Sequence, residues 1–281
     1  MGRISALTEL TSLASNDYLI VLDSSANIAK KISVANAFGV PEATWTAAGE
    51  TWTFSSWTSG TRIGVITVPS NATTKYQAGN RIKITQTTGG TKYGIIHAVT
   101  STTLSVFFPS GTTLNNETIS TPFWTSLDSP KGFDKDPDLW TLVSRKTART
   151  TQGSVSVNTW YNVGGSLTVG AGKWLLSAAD LGLITTVSAG YMGFTSALAT
   201  TSNGSSLIAD TRYRSAIVQS ANSEVDDQYV VANIPFTVAS SSTVYLVRAV
   251  SAGTGVTIYS EATGSTYANG DNYIKVLSAY L

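Results

Sequence analysis

The sequence predicts an all-β protein. It consists of a small N-terminal segment, a compact β-barrel and a larger jelly-roll sandwich. Three observations lead there. Short runs of β-branched and aromatic residues recur along the chain, separated by Gly, Asn and Asp punctuation. Charged residues are only 12% of the 281, about half the roughly 25% of ordinary soluble domains, and Ser, Thr, Gly and Asn take their place. No period of 20–50 residues repeats, which argues against a propeller or β-helix.

Residues 1–40 contain the apolar run Tyr18, Leu19, Ile20, Val21, Leu22, closed by Asp23-Ser24-Ser25-Ala26-Asn27 and followed by Ile28 to Ile32. This reads as a β-hairpin leading into a short helix capped at Ser33. The piece is too small to own a core, so it must dock on copies of itself or on a larger body.

Residues 41–127 predict a small barrel or sandwich of four to six strands, the clearest at 63–68, 81–85, 93–99 and 104–107. Residues 128–145 hold Pro130, Gly132 and the densest charge cluster, Asp134-Lys135-Asp136-Pro137-Asp138, and read as a linker. Residues 146–281 return roughly eight strand signals, a number that favours an antiparallel jelly roll. Within that section, residues 174–194 come nearest to a membrane span. Asp180 and the break at Ala189-Gly190 make two strands and a turn the better reading, so no membrane insertion is expected.

Composition excludes several chemistries. With no cysteine, disulfides, thiolate nucleophiles and Cys-ligated zinc are impossible. Eighteen basic residues nearly cancel seventeen acidic ones, so no nucleic-acid partner is expected. His97 is the single histidine and any Ser-His-Asp triad would need it, but alternation puts it with Tyr93, Ile95 and Val99 on an apolar strand face. A core or interface histidine is the reading. Asp134, Asp136 and Asp138 imitate the first ligand positions of a calcium loop, yet Leu139 stands where glycine is required and Arg145 where the bidentate glutamate belongs. No metal or other cofactor is expected. Glu224, Asp226 and Asp227 form a second acidic cluster. Paired carboxylates serve glycoside hydrolysis, but adjacent Asp226 and Asp227 point to opposite sides of an extended chain, and a solvated loop is the expectation.

Three stretches resemble known families. Residues 4–39, from Ile4-Ser5-Ala6-Leu7 through Asp17 to Asp23 and on to Lys30-Lys31-Ile32-Ser33-Val34, resemble the N-terminal segment of bacteriophage tail-fibre and tailspike proteins. The stretch from Lys75 to Lys83 and on to Pro130-Lys131-Gly132-Phe133 looks like a small barrel module of phage structural proteins. Residues 167–175, Pro235 to Val238 and Thr243 to Leu246 are similar in outline to the trimeric jelly rolls of the C1q and tumour-necrosis-factor type, although the closing residues 273–277 lack the aromatic-rich signature of the vertebrate domains. The resemblance implies a non-enzymatic homotrimeric tail fibre in the virion. Residues 1–40 would attach it to other tail or baseplate proteins, with Tyr18, Ile20, Leu22 and Ile32 as docking residues. The jelly roll would recognise a host surface glycan or protein. Its long loops nominate Asn203, Glu224, Asp226, Asp227, Tyr267 and Tyr273 for that surface. Two other readings use the same domains: a capsid fibre, decoration or tail-connector protein without a receptor role, and a polysaccharide-degrading tailspike.

Overall fold

The computed structural model describes residues 18–23, 28–33, 44–69, 71–220, 224–253, 255–260 and 272–281. The predicted helix after Ser33 lies outside them. The first two strands, β1 (Tyr18–Asp23) and β2 (Ile28–Ser33), form the expected antiparallel hairpin. Its register sets Tyr18 opposite Ser33, Ile20 opposite Lys31 and Leu22 opposite Ala29. Ile32 pairs with Leu19 and so falls in the other register phase.

The middle of the chain builds one sheet from β3 (Thr46–Ala47), β4 (Thr53–Thr58), β5 (Ile63–Thr67), β6 (Arg81–Gln86), β7 (Gly90–Val99), β8 (Thr103–Phe107) and β9 (Ser120–Thr125). A single helical turn, α1 (Ala72–Lys75), joins β5 to β6. Strand alternation turns Ile66, Ile82, Ile84, Leu104 and Val106 inward onto Trp52, Tyr76 and Phe108. Two glycines permit the close packing: a Cβ on Gly94 would lie 2.4 Å from Val106 Cγ1, and one on Gly64 2.6 Å from Leu114 Cδ2.

The expected barrel does not close. The seven strands run in the order β3-β9-β6-β7-β8-β5-β4, and a lone bridge, Thr53 to Thr118, leads from β4 back toward β9. Closure fails because β3 is only two residues long and β4 is bulged between Phe54 and Ser56 and largely exposed.

The remaining strands are β10 (Thr141–Arg145), β11 (Thr150–Gln152), β12 (Trp160–Val169), β13 (Gly172–Thr185), β14 (Gly190–Ala199), β15 (Tyr213–Gln219), β16 (Glu224–Val238), β17 (Ser242–Ala252), β18 (Thr257–Ser260) and β19 (Tyr273–Ser278). One sheet runs β10-β19-β13-β16 and the other β12-β17-β14-β15, all antiparallel. These eight strands have the connectivity of a jelly roll. Beyond Ala179, β13 exchanges β19 for β18, which carries β11 at its outer edge, so that sheet holds six strands. Trp174, Leu176, Ala178 and Ile184 from one sheet interleave with Phe194, Leu198, Val244, Leu246 and Val250 from the other.

Residues 128–145 are not a free linker. Phe133 and Trp140 are buried and stacked with ring centroids 4.9 Å apart, and the last five residues are β10 itself. The aspartates that suggested solvent exposure close local turns: Asp134 Oδ1 accepts the Asp136 N–H and Asp136 Oδ1 the Asp138 N–H. Around this segment the two β-units share one hydrophobic cluster, with Ile63, Ile95 and Phe107 on one side and Trp174 on the other. Polar contacts pin the junction. Arg62 donates to the Leu139 carbonyl at 2.7 Å, Arg81 to the Tyr280 carbonyl at 2.6 Å, and His97 Nε2 meets Ser278 Oγ at 2.9 Å. His97 is thus an interface histidine, and burial drives its pKa down to about 3.

Candidate functional site

The strongest electrostatic feature lies between the sheets of the sandwich. Arg248 on β17 points inward, 1% exposed. Its guanidinium lies 2.8 Å from Asp180 on β13 and 3.6 Å from Asp227 on β16. Ser260 Oγ donates to Asp180 Oδ1 at 2.5 Å. Ser215 Oγ donates to Asp227 Oδ1 at 3.3 Å. Nearby, buried Lys146 donates to the carbonyls of Val163 and Ser260 at 2.7 and 2.6 Å. One guanidinium faces two carboxylates, and Asp180 is the nearer. Burial raises the Asp227 carboxyl above its ordinary range, with the Asp180 charge adding to the effect; Arg248 and Ser215 oppose it. Enclosed between sheets, the cluster offers no approach to a polymer. Its role is to join β17 to β13 and β16.

Gly182 makes the cluster possible, because a Cβ there would fall 1.6 Å from Arg248 Nη1. Gly182→Ala is expected to cost about 1–3 kcal/mol by overpacking, read as a lower melting temperature with the strand signature retained. An unchanged melting temperature would mean that Arg248 has room to move aside.

The residues nominated for recognition do not converge. Asn203 is exposed in the turn between β14 and β15, where its Oδ1 accepts the Ser205 N–H. Residues 224–228 are not a loop: they open β16 and pair along β13, with Glu224 opposite Thr185 and Asp226 opposite Leu183. Asp227 is buried in the ion cluster, so it is not a surface residue. Asp226, its neighbour, is exposed on the outer face, as strand alternation requires. Tyr273 starts β19 opposite Ala179 and Arg145, on that same outer face. Tyr267 lies outside the described residues. Among those described, no group of three His, Cys, Asp or Glu is disposed to hold a metal, and no helix is long and apolar enough to cross a membrane.

The outer face of the six-stranded sheet is a surface the sequence reading did not isolate. Rows of paired residues run across it: Thr141, Leu277, Leu175 and Pro235 in one, Val143, Lys275 and Ser177 in the next, and Arg145, Tyr273, Ala179 and Val230 in the one after. Val230 is 56% and Val143 47% exposed, and Leu175, Leu181 and Leu277 are half-buried. Charges on this face include Lys173, Lys275, Arg145 and Asp226, and Arg149 lies 4.2 Å over the Tyr259 ring. With exposed valines and half-buried leucines set among these charges, the face is a candidate assembly surface.

The fold defines an all-β chain built around an eight-stranded jelly roll. No family model matches the sequence, and no curated protein matches it. Among solved structures, the chain is similar to a structure of infectious bursal disease virus, Gt strain, at 10% identity over 83% of this chain and 73% of that one, with a TM-score of 0.31. It is similar to the VP2 subviral particle of the same virus at 9% identity, covering 86% and 79%, with a TM-score of 0.28. A carbohydrate-binding module of the β-sandwich superfamily matches at 12% identity over 78% of this chain and 94% of the module, with a TM-score of 0.19.

Proposed function

We propose that this chain is a non-enzymatic structural subunit of a virus particle: a tail fibre of the bacteriophage type. It trimerises through the outer face of its six-stranded sheet, attaches through residues 1–40 and meets the host surface with its sandwich. This face carries the reading, with Val143 exposed on one outer strand, β10, and Val230 on the other, β16. Closed symmetric association removes such a face from water, whereas a monomer leaves it exposed. The resemblance of residues 4–39 to fibre attachment segments supports the same reading, as does the jelly-roll connectivity. Three weak recognition sites on one rigid trimer gain avidity through effective concentration, so attachment needs no catalysis.

Light scattering on the full chain at micromolar concentration is expected to report about three times the 29.5 kDa of one chain. Val230→Asp combined with Leu175→Asp is expected to yield folded single chains, with the circular-dichroism spectrum of the parent. A parent protein that is monomeric, or a double variant that still forms trimers, would overturn the assignment of this face.

A further inference from the structure

The outer face of the four-stranded sheet carries a groove of about 460 Å³. One row of cross-strand partners forms its floor and flanks: Trp160 opposite Ala249, Ala249 opposite Thr195, and Thr195 opposite Arg214. Side chains in such a row emerge on the same side of a sheet. Ala249 keeps the floor low. Trp160 walls one flank, backed by Gly204, where a Cβ would come within 2.5 Å of the Trp160 Cβ. Arg214 on β15 and Arg212, just before that strand begins, wall the other. Asn158 closes one end, its N–H donating to the Val250 carbonyl at 2.6 Å. Ser251 lines the same end, at the bulge where β17 slips against Gly193 and Phe194.

The lining contains no carboxylate, and neither Arg212 nor Arg214 forms an ion pair among the described residues. Two unpaired guanidiniums present planar donor forks that match a carboxylate in bidentate geometry. A half-buried indole on the opposite flank offers an apolar plate with a polar edge. Thr195 and Asn158 add a hydroxyl and an amide for a ligand rich in hydroxyls. An open, polar-lined groove suits a hydrated ligand rather than a drug-like apolar one. With a net charge of only +1, the chain has no wider basic field to attract nucleic acid.

We propose that this groove binds a carboxylate-bearing sugar, a uronic or sialic acid unit of a surface glycan. The carboxylate sits on Arg212 and Arg214, and the sugar ring lies against Trp160. This deepens the fibre reading and rests on it for the source of the glycan.

The test is calorimetric titration of the full chain with oligogalacturonate and with oligosialic acid, each against its methyl ester, and with sodium sulfate. At least one acidic saccharide is expected to bind saturably. Its methyl ester, and the variant Arg212→Ala/Arg214→Ala, are each expected to weaken binding by about tenfold or more. Both arginines are exposed, so that variant keeps its fold and its oligomeric mass, which light scattering checks. Failure of both acidic saccharides to bind overturns the proposal. So does binding that survives the double substitution, or heats that sulfate alone reproduces. A trimer that binds neither saccharide sinks the groove and leaves the fibre standing. A single-chain protein that binds through the arginines sinks the fibre and leaves the groove.

Discussion

Replacing Arg248 with methionine is expected to lower the unfolding free energy by about 3–5 kcal/mol, because it strands two carboxylates between the sheets with their cation removed. Asp180 and Asp227 come from adjacent strands of one sheet and converge on a guanidinium from the other. Asp180 would retain Ser260 and Asp227 would retain Ser215 as hydrogen-bond donors. Neither donor carries charge, so both carboxylates must ionise at high cost or take up protons. The triple variant Arg248→Met/Asp180→Leu/Asp227→Leu is expected to recover most of the loss, since well-packed apolar replacements of buried ion clusters are often neutral or better. Urea denaturation decides the matter, and a loss below about 1 kcal/mol in the single variant would mean that water or another cation reaches the cluster. The same measurement has a pH signature in the parent protein. Asp227 holds its proton more tightly folded than unfolded. Its ionisation therefore costs stability at neutral pH, and that cost is relieved as pH falls through the raised folded value toward the ordinary aspartate range. Asp227→Asn should abolish this acid-side gain.

The second large effect is expected at the junction of the two β-units. Trp174 is fully buried, donates its indole N–H to the Gly170 carbonyl at 3.0 Å, and packs against His97 and Phe107 at centroid distances of 4.6 and 5.0 Å. Trp174→Ala is expected to cost about 3–5 kcal/mol through lost burial and the cavity left behind. It should also divide the unfolding curve. In the parent a single hydrophobic cluster spans both units, so one cooperative transition is expected by fluorescence and by circular dichroism alike. In the variant the two units should melt separately, and a variant that keeps one coincident transition would show that Arg62 and Arg81 suffice to couple them. His97 adds a pH term of opposite sign to that of Asp227. Its folded pKa of about 3 lies below the ordinary 6.5, so the unfolded chain takes up a proton that the folded chain refuses. Stability through His97 is complete above pH 6.5 and declines from there toward pH 3.

Strand alternation made much of this fold readable from residues alone. Residues 174–194, apolar enough to suggest a membrane span, are β13 and β14, and the chain breaks between them close to Ala189-Gly190 as expected. Their placement in different sheets was not readable, because it depends on partners tens of residues away. The same limit explains the misplaced linker: Asp134 and Asp136 look solvated, and nothing local tells that Phe133 and Trp140 beside them fill the junction. Asp227 is the instructive error. Two adjacent aspartates suggest a loop, yet the period-2 series Asp227, Tyr229, Val231 could have marked an inward-facing row. Its partner Arg248 belongs to the opposite sheet, and only the folded register introduces them. Trp160, Thr195 and Arg214 show the limit most sharply, since three separate pairings align them and no motif in the chain announces it.

The position of β19 has a consequence for synthesis. This strand follows every other described strand in the chain, yet it lies inside the sheet, between β10 and β13. Its last residue, Ser278, and Tyr280 just beyond also supply polar contacts to His97 and Arg81 in the earlier unit. A nascent chain halted before residue 273 would have β10 without its neighbour and β13 with one edge half bare. Non-local closure of this kind is slow, and until it happens the apolar interior is open to neighbouring chains. The sandwich therefore closes only after translation has passed β19, and a product terminated before it leaves its apolar interior open to aggregation and proteolysis.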